Sequence, residues 1–124
     1  MTKKELFKKL NNLCEEMNYS YHINCGGCCY VAAVISEQLE HSGISFKIAV
    51  TYSPTHYAIK VNDRYINRDG FRFLKEDIID YWDSKYLYNL YYCESWNDYY
   101  NRKWNLIVQT RIKSLFKKYE NSRK

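Results

Sequence analysis

The chain has 124 residues, of which 46% are hydrophobic and 27% are charged. This composition is typical of one folded domain, residues 1–124, that is large enough to bury a core without metals or disulfides. No run approaches the roughly 20 apolar residues of a membrane span, and the charged N-terminal segment is unlike a signal peptide. Because three of the five cysteines lie within five positions, we expect reduced thiols and a cytoplasmic protein.

Positive charge is concentrated at the C-terminal end of the chain. Residues 101–124 contain eight Lys or Arg and one acid, a net charge of +7, whereas the preceding residues together carry −2. A basic terminal segment can bind nucleic acid or an acidic protein surface. A solvated helix face explains the same charge more simply, so nucleic acid is a partner that we do not favour.

The first half of the chain is predicted to contain two helices and a strand. Apolar residues at three- and four-residue steps indicate an amphipathic helix over about residues 3–17. The polar stretch 18–27, which ends in paired glycines, is typical of a loop. Helical spacing resumes at Cys28 and is expected to stop at Gly43. The alternating, β-branched segment 44–52 then predicts a strand.

A β-hairpin is predicted next. The segments HYAIKV (56–61) and RYINRD (64–69) flank Asn62 and Asp63, a dipeptide suited to a two-residue turn. The register that such a turn sets is defined by the opposed pairs Val61–Arg64 and Lys60–Tyr65.

Helices are predicted to follow the hairpin. The segment 75–92 is expected to be helical over its first ten residues, and a long C-terminal helix comes after it. The apolar face of this last helix is formed by Trp96, Tyr100, Trp104, Ile107, Val108, Ile112, Leu115 and Tyr119. The order of helices, three antiparallel strands and further helices indicates an α+β fold.

The most concentrated chemistry lies in NCGGCCYV, residues 24–31. Cys25 and Cys28 form one half of a zinc site, but structural zinc sites commonly require a second such pair or spaced histidines. A redox Cys-x-x-Cys motif normally follows a strand in a βαβ unit, whereas here a helix and a loop precede it. Both alternatives are less favoured than a catalytic thiol, so we expect no metal and no cofactor.

A catalytic thiol needs a stabilised thiolate and a histidine base. Cys28 and its neighbour Cys29 open the second helix, where unpaired N–H groups and the helix dipole favour a thiolate. If the hairpin ladder continues regularly, His56 lies opposite Asp69 on the same face, with Cβ atoms about 4.5–5.5 Å apart. At that separation Asp69 can accept the imidazole N–H, and Asn67 is the alternative orienting group.

These residues resemble the transglutaminase-like branch of the papain-like cysteine protease superfamily. The resemblance spans residues 24–71, and CGGCC is also similar to the CGxC signature of papain-type and bacteriocin-processing peptidases, in which the second cysteine reacts. Both comparisons select Cys28. The matching residues are Gly26-Gly27-Cys28, Ala32, GISFK from Gly43, HYAIKV from His56, Tyr65 and Asp69.

The resemblance implies a papain-like core in which the nucleophile-bearing helix packs on a small antiparallel sheet, flanked by N- and C-terminal helices. It implies a thiol peptidase, amidase, deamidase or transglutaminase-like acyltransferase that acts on a protein or peptide through a thioester. Such small members can be encoded by phages or mobile elements. The papain-type oxyanion glutamine is replaced here, and the oxyanion or substrate-binding candidates are His22, Asn24, Gly26 and Gly27.

A second hypothesis comes from a different class of function. In it, the papain-like scaffold is a non-catalytic binding module, and its basic C-terminal helix contacts nucleic acid or a host protein. Binding that weakens steeply with salt would distinguish this module from an enzyme.

Overall fold

A computed structural model describes residues 1–21, 28–52, 55–67, 80–82 and 102–123 of the chain. Over these ranges the chain combines helices with an antiparallel sheet, so the α+β class is confirmed. No helix within this described part is both long and apolar enough to cross a lipid bilayer. In chain order the elements are α1 (Lys3–Tyr21), α2 (Cys28–His41), β1 (Lys47–Tyr52), β2 (Thr55–Val61), β3 (Arg64–Ile66), β4 (Asp80–Trp82) and α3 (Arg102–Ser122).

Helix α1 begins with a side-chain cap and is longer than predicted. The Glu5 N–H donates to Thr2 Oγ1 at 3.1 Å, and the Thr2 hydroxyl donates to Glu5 Oε1 at 3.3 Å, so two groups at the helix start are paired. The predicted loop was wrong over residues 18–21, which continue the helix. Extending an existing helix adds one hydrogen bond for each residue fixed, so α1 continues past the buried Met17 through positions 18–20, which are not buried.

Helix α2 ends at His41, and Gly43 lies in the turn that stops it, as predicted. The Ile44 N–H donates to Leu39 O at 2.9 Å and the Gly43 N–H donates to Glu40 O at 3.1 Å, which is the hydrogen-bond pattern of a Schellman motif. Gly43 has a φ of 70°, in the left-handed region that glycine adopts readily. Ile44 and Leu39 both belong to the main core. Because residues 44–46 complete this turn, β1 begins at Lys47 and not at residue 44 as predicted.

Over the described ranges the sheet has four strands in the order β3-β2-β1-β4, and all neighbours are antiparallel. The hairpin register is confirmed: Val61 lies opposite Arg64, and Lys60 opposite Tyr65. Strand β3 is shorter than predicted, since its ladder with β2 ends at Ile66.

The fourth strand corrects a prediction. Residues 80–82 were expected to be helical, yet they pair with the free edge of β1, where Ile48 lies opposite Trp82 and Val50 opposite Asp80. Tyr81 and Trp82 are of residue types that favour strands, and short apolar runs do not distinguish helix from strand. The remainder of the segment 75–92 lies outside the described residues.

One face of the sheet is covered by helices. The apolar stripes of α1, α2 and α3 share the main core with the buried strand residues Ile48, Val50, Ile59, Val61 and Ile66. Among the α3 side chains that the structure describes, residues 106–122, the buried ones are Val108, Ile112, Phe116 and Tyr119. Ile107 is 42% exposed, so its predicted place on the buried face was wrong. It lies about 100° around the helix from Val108, and Phe116 occupies the stripe instead.

Candidate functional site

Cys28 is the first residue of α2, a helix that packs against β2. Its side chain is 5% exposed and is a thiol, not half of a disulfide. Residues 30–35 of α2 belong to the main core, whereas Cys28 lies outside both apolar clusters of the described residues. The thiol therefore lies at the end of the helix where backbone N–H groups lack intrahelical partners and where negative charge is favoured.

His56 is the second residue of β2 and is 7% exposed. Its Nε2 lies 2.8 Å from the main-chain carbonyl oxygen of Asn67. Because a carbonyl oxygen can only accept a hydrogen bond, Nε2 must carry the hydrogen. In the neutral imidazole Nδ1 then holds the lone pair, so this contact defines which ring nitrogen can accept a proton.

Asn67 brings its carbonyl to His56 by leaving the extended conformation. Its φ is 62°, a left-handed value that asparagine tolerates better than most residues. It follows directly after the last paired residue of β3, Ile66. The regular ladder used to place His56 opposite Asp69 therefore stops before it reaches that position, and Asp69 lies outside the described residues. Asn67 was expected to orient His56 through its side chain, but the contact uses its main-chain oxygen.

Asn11, on α1, binds the main chain on both sides of Ile66, next to the Asn67 carbonyl. Its Nδ2 donates to Tyr65 O at 3.0 Å, and the Asn67 N–H donates to its Oδ1 at 3.0 Å. One carboxamide thus pairs with backbone groups on both sides of Ile66. Sequence reasoning missed Asn11. The available signal was a polar residue next to Leu10 in the apolar stripe of the helix.

Thr51 is a further residue near His56 that sequence reasoning missed. It lies directly opposite His56 in the β1–β2 ladder and is 6% exposed. Directly opposed residues of an antiparallel pair have Cβ atoms about 4.5–5.5 Å apart on the same face. Thr51 therefore forms part of the immediate surroundings of the imidazole.

The face of the sheet that carries His56 is not the one that carries the main core. Side chains alternate along a strand, so His56 shares a face with Ala58, whereas Ile59 faces the helices. Ala58 and Ala49 are fully buried and form a separate apolar cluster with Tyr65. The apolar stripe of α2 lies on the Ile59 side, so any pairing with His56 depends on Cys28 being the terminal residue of that helix.

Cys14, a second cysteine whose side chain the structure describes, is unsuited to nucleophilic chemistry. It is 2% exposed within the main core, and burial raises its pKa to about 12. Tyr30, two residues after Cys28, also has its pKa raised to about 12, first by burial and then by the charge of Glu37. Both groups remain protonated at neutral pH.

Several predicted site residues lie outside the described residues: His22, Asn24, Gly26, Gly27 and Asp69. Among the residues that are described, no three or more His, Cys, Asp or Glu side chains are grouped so that they could share a metal ion. Cys25 also lies outside the described part, so the zinc alternative stays a prediction.

The basic C-terminal helix presents charge to solvent. Lys113, Lys117 and Lys118 are exposed on α3, while Arg111 forms a 2.9 Å ion pair with Glu16 of α1. These lysines lie away from the buried stripe of the helix, so they are available to an anionic partner or to water.

Comparison of the chain with protein-family models, with curated proteins and with solved structures finds no significant match.

Proposed function

We propose that the protein is a cysteine-dependent acyl-transfer enzyme that acts on an amide of a protein or peptide. In this proposal the fold is a papain-like or transglutaminase-like core, Cys28 is the nucleophile and His56 is the general base. The observation that supports it most is the hydrogen bond from His56 Nε2 to Asn67 O. It keeps the proton on Nε2 and the lone pair on Nδ1, the state in which an imidazole can take a proton from a thiol.

The reaction has two acyl transfers. His56 Nδ1 takes the proton of the Cys28 thiol, and the thiolate attacks the carbonyl carbon of the substrate amide. The C–N bond then breaks, the imidazolium gives its proton to the departing nitrogen, and a thioester remains on Cys28. Water, deprotonated by His56, attacks the thioester carbonyl, the C–S bond breaks and the carboxylic acid leaves. The imidazolium then returns its proton to Cys28 Sγ. An amine in place of water would make the reaction a transamidation.

The surroundings of His56 suit a ring that becomes charged during the reaction. The carbonyl of Asn67 accepts the Nε2–H in both protonation states and interacts more strongly with the imidazolium. Asp69 remains the candidate for a further carboxylate partner. The oxyanion would be stabilised by the backbone N–H of Cys28 and by groups from His22, Asn24, Gly26 and Gly27.

The direct test is the pH dependence of alkylation at each cysteine, measured with iodoacetamide and peptide mass spectrometry. A thiol paired with His56 should reach half of its maximal rate below about pH 8.5, where an ordinary cysteine titrates. His56→Gln keeps a donor for Asn67 O but removes the base. We expect it to slow alkylation of Cys28 at pH 7 by about tenfold, the change in thiolate fraction that a rise of one unit in the thiol pKa produces. His41→Gln, at the exposed end of α2, is the matched control and should have no effect.

Two results would overturn the proposal. Undiminished rapid labelling in Cys28→Ala, carried by Cys25 or Cys29, would reject Cys28 as the nucleophile. If the pH dependence of Cys28 alkylation is unchanged in His56→Gln, His56 is rejected as the base. A further measurement is binding of a DNA or RNA oligonucleotide. If either result above were found and binding were also steeply salt-dependent and unchanged in Cys28→Ala, a binding module that uses the exposed α3 lysines would be favoured over an enzyme.

A further inference from the structure

We infer that Asn11 is a positioning residue for His56, acting through the main chain at the end of β3. Its carboxamide binds Tyr65 O and the Asn67 N–H, and the carbonyl of the same Asn67 accepts the imidazole Nε2–H. A continuous set of hydrogen bonds therefore connects α1 to the imidazole. The effect of Asn11 on thiol reactivity rests on the proposed function, whereas its effect on the imidazole does not.

The main chain at Asn67 requires such a contact. The left-handed conformation is less favourable for an L-residue than the extended one, although asparagine adopts it more readily than most, and position 67 follows the last described pair of the β2–β3 ladder. Asn11 supplies one donor and one acceptor to the main chain on either side of Ile66. It thereby holds Asn67 where its carbonyl faces His56.

Burial makes the position of that carbonyl important. His56 and Asn67 are 7% and 5% exposed, so a displaced carbonyl could not easily be replaced by bulk water. A buried donor without a partner is costly, and the imidazole would reorient to satisfy Nε2. Asn11 thus determines the orientation of Nδ1 without contacting it.

The experiment compares Asn11→Ala with Asn12→Ala, which removes an exposed carboxamide one position along the same helix. The first readout is solvent exchange of the His56 Nε2–H, followed by NMR. We expect this exchange to accelerate by about threefold to tenfold in Asn11→Ala, the change that one hydrogen bond produces, and to stay unchanged in Asn12→Ala. Equal exchange rates in the two variants would overturn the inference.

A conservative variant separates positioning from folding. In Asn11→Asp the carboxylate still accepts the Asn67 N–H, but an oxygen replaces the donor to Tyr65 O. Because one hydrogen bond is lost and two acceptors then face each other, exchange of the Nε2–H should be faster than in the unaltered chain. If Asn11→Ala does not fold, as judged by circular dichroism, this variant carries the test. Exchange of the Nε2–H in folded Asn11→Asp at the rate of the unaltered chain would overturn the inference.

The second readout is alkylation of Cys28 at pH 7. If the proposed function is correct, Asn11→Ala should slow it by about threefold to tenfold and Asn12→Ala should not. If alkylation of Cys28 proves independent of His56, the proposed function fails. The inference about Asn11 is then still decided by the exchange of the Nε2–H.

Discussion

At the scale of single residues, His56 is held by a main-chain oxygen. The carbonyl of Asn67 reaches Nε2 because that residue has a φ of 62° and because Asn11 binds its N–H. This hydrogen bond uses the main-chain carbonyl of Asn67 and not its carboxamide. What matters at position 67 is therefore tolerance of the left-handed conformation, which asparagine has and β-branched residues lack.

This arrangement explains what could be predicted at the candidate site. Cys28 and His56 were identified from local patterns, a helix start and a strand start. Asn11 lies more than fifty positions from the backbone groups that it binds, and a main-chain carbonyl has no sequence signature. The conformation at Asn67 follows from the tertiary contact with α1, so counting along an ideal ladder could not foresee it.

The two described thiols should differ sharply in reactivity. Cys14 is buried in the main core and its pKa is raised to about 12, so neither access nor ionisation favours it. We expect iodoacetamide at pH 8 to leave Cys14 unmodified in the folded protein and to modify it fully in 8 M urea. Peptide mass spectrometry measures both. Labelling of folded Cys14 at the rate of a short peptide thiol would mean that the core around α1 opens readily.

At the scale of elements, predictions succeeded where a short local signal sets the geometry. The Asn62-Asp63 turn gave the register of β2 and β3, and Gly43 gave the end of α2. Predictions were wrong where contacts with a neighbouring element determine the secondary structure. Residues 80–82 are a strand because the edge of β1 pairs with them, and this pairing is not encoded in their own periodicity.

Gly43 provides a test of how much the end of α2 contributes to stability. A Cβ added at this position would meet no atom within 4 Å, so Gly43→Ala introduces no clash and its cost comes from the φ of 70° alone. We expect the substitution to lower the free energy of unfolding by about 1–2 kcal/mol. Urea denaturation followed by circular dichroism measures the change.

The control for this prediction is Gly43→Asn, because asparagine adopts the left-handed region more easily than alanine. It should lower the free energy of unfolding by less than Gly43→Ala does. An alanine variant as stable as the unaltered chain would show that the Schellman motif does not constrain the turn into β1.

At the scale of the whole molecule, contacts between distant parts of the chain hold α1 and α3 side by side. The N-terminal ammonium of Met1 donates to Ser122 Oγ at 3.0 Å, and Arg111 pairs with Glu16 at 2.9 Å. Both contacts are exposed, and exposed ion pairs contribute about 0–1 kcal/mol. The apolar stripes of the two helices, which share the main core, therefore supply most of the stabilisation between them.

Two buried groups, Cys14 and Tyr30, should make the free energy of unfolding fall at alkaline pH. Burial raises the pKa of Cys14 from 9.0 to about 12 and that of Tyr30 from 10.0 to about 12. Above pH 9 the unfolded chain releases the Cys14 proton while the folded chain keeps it, and Tyr30 follows above pH 10. The unfolded state then binds fewer protons, so the free energy of unfolding falls as pH rises. Each group contributes a slope of at most about 1.4 kcal/mol per pH unit.

Urea unfolding under reducing conditions at pH 8, 9, 10 and 10.5 tests this dependence. Below pH 9 the contribution of Cys14 is fully present, and we expect it to be lost progressively between pH 9 and 12. Cys14→Ala should be less stable at pH 8, because it leaves a cavity in the core, but its stability should fall less steeply between pH 9 and 10.5. Tyr30→Phe should flatten the decline only above pH 10. Parallel declines in the three proteins would mean that neither group stays protonated in the folded core.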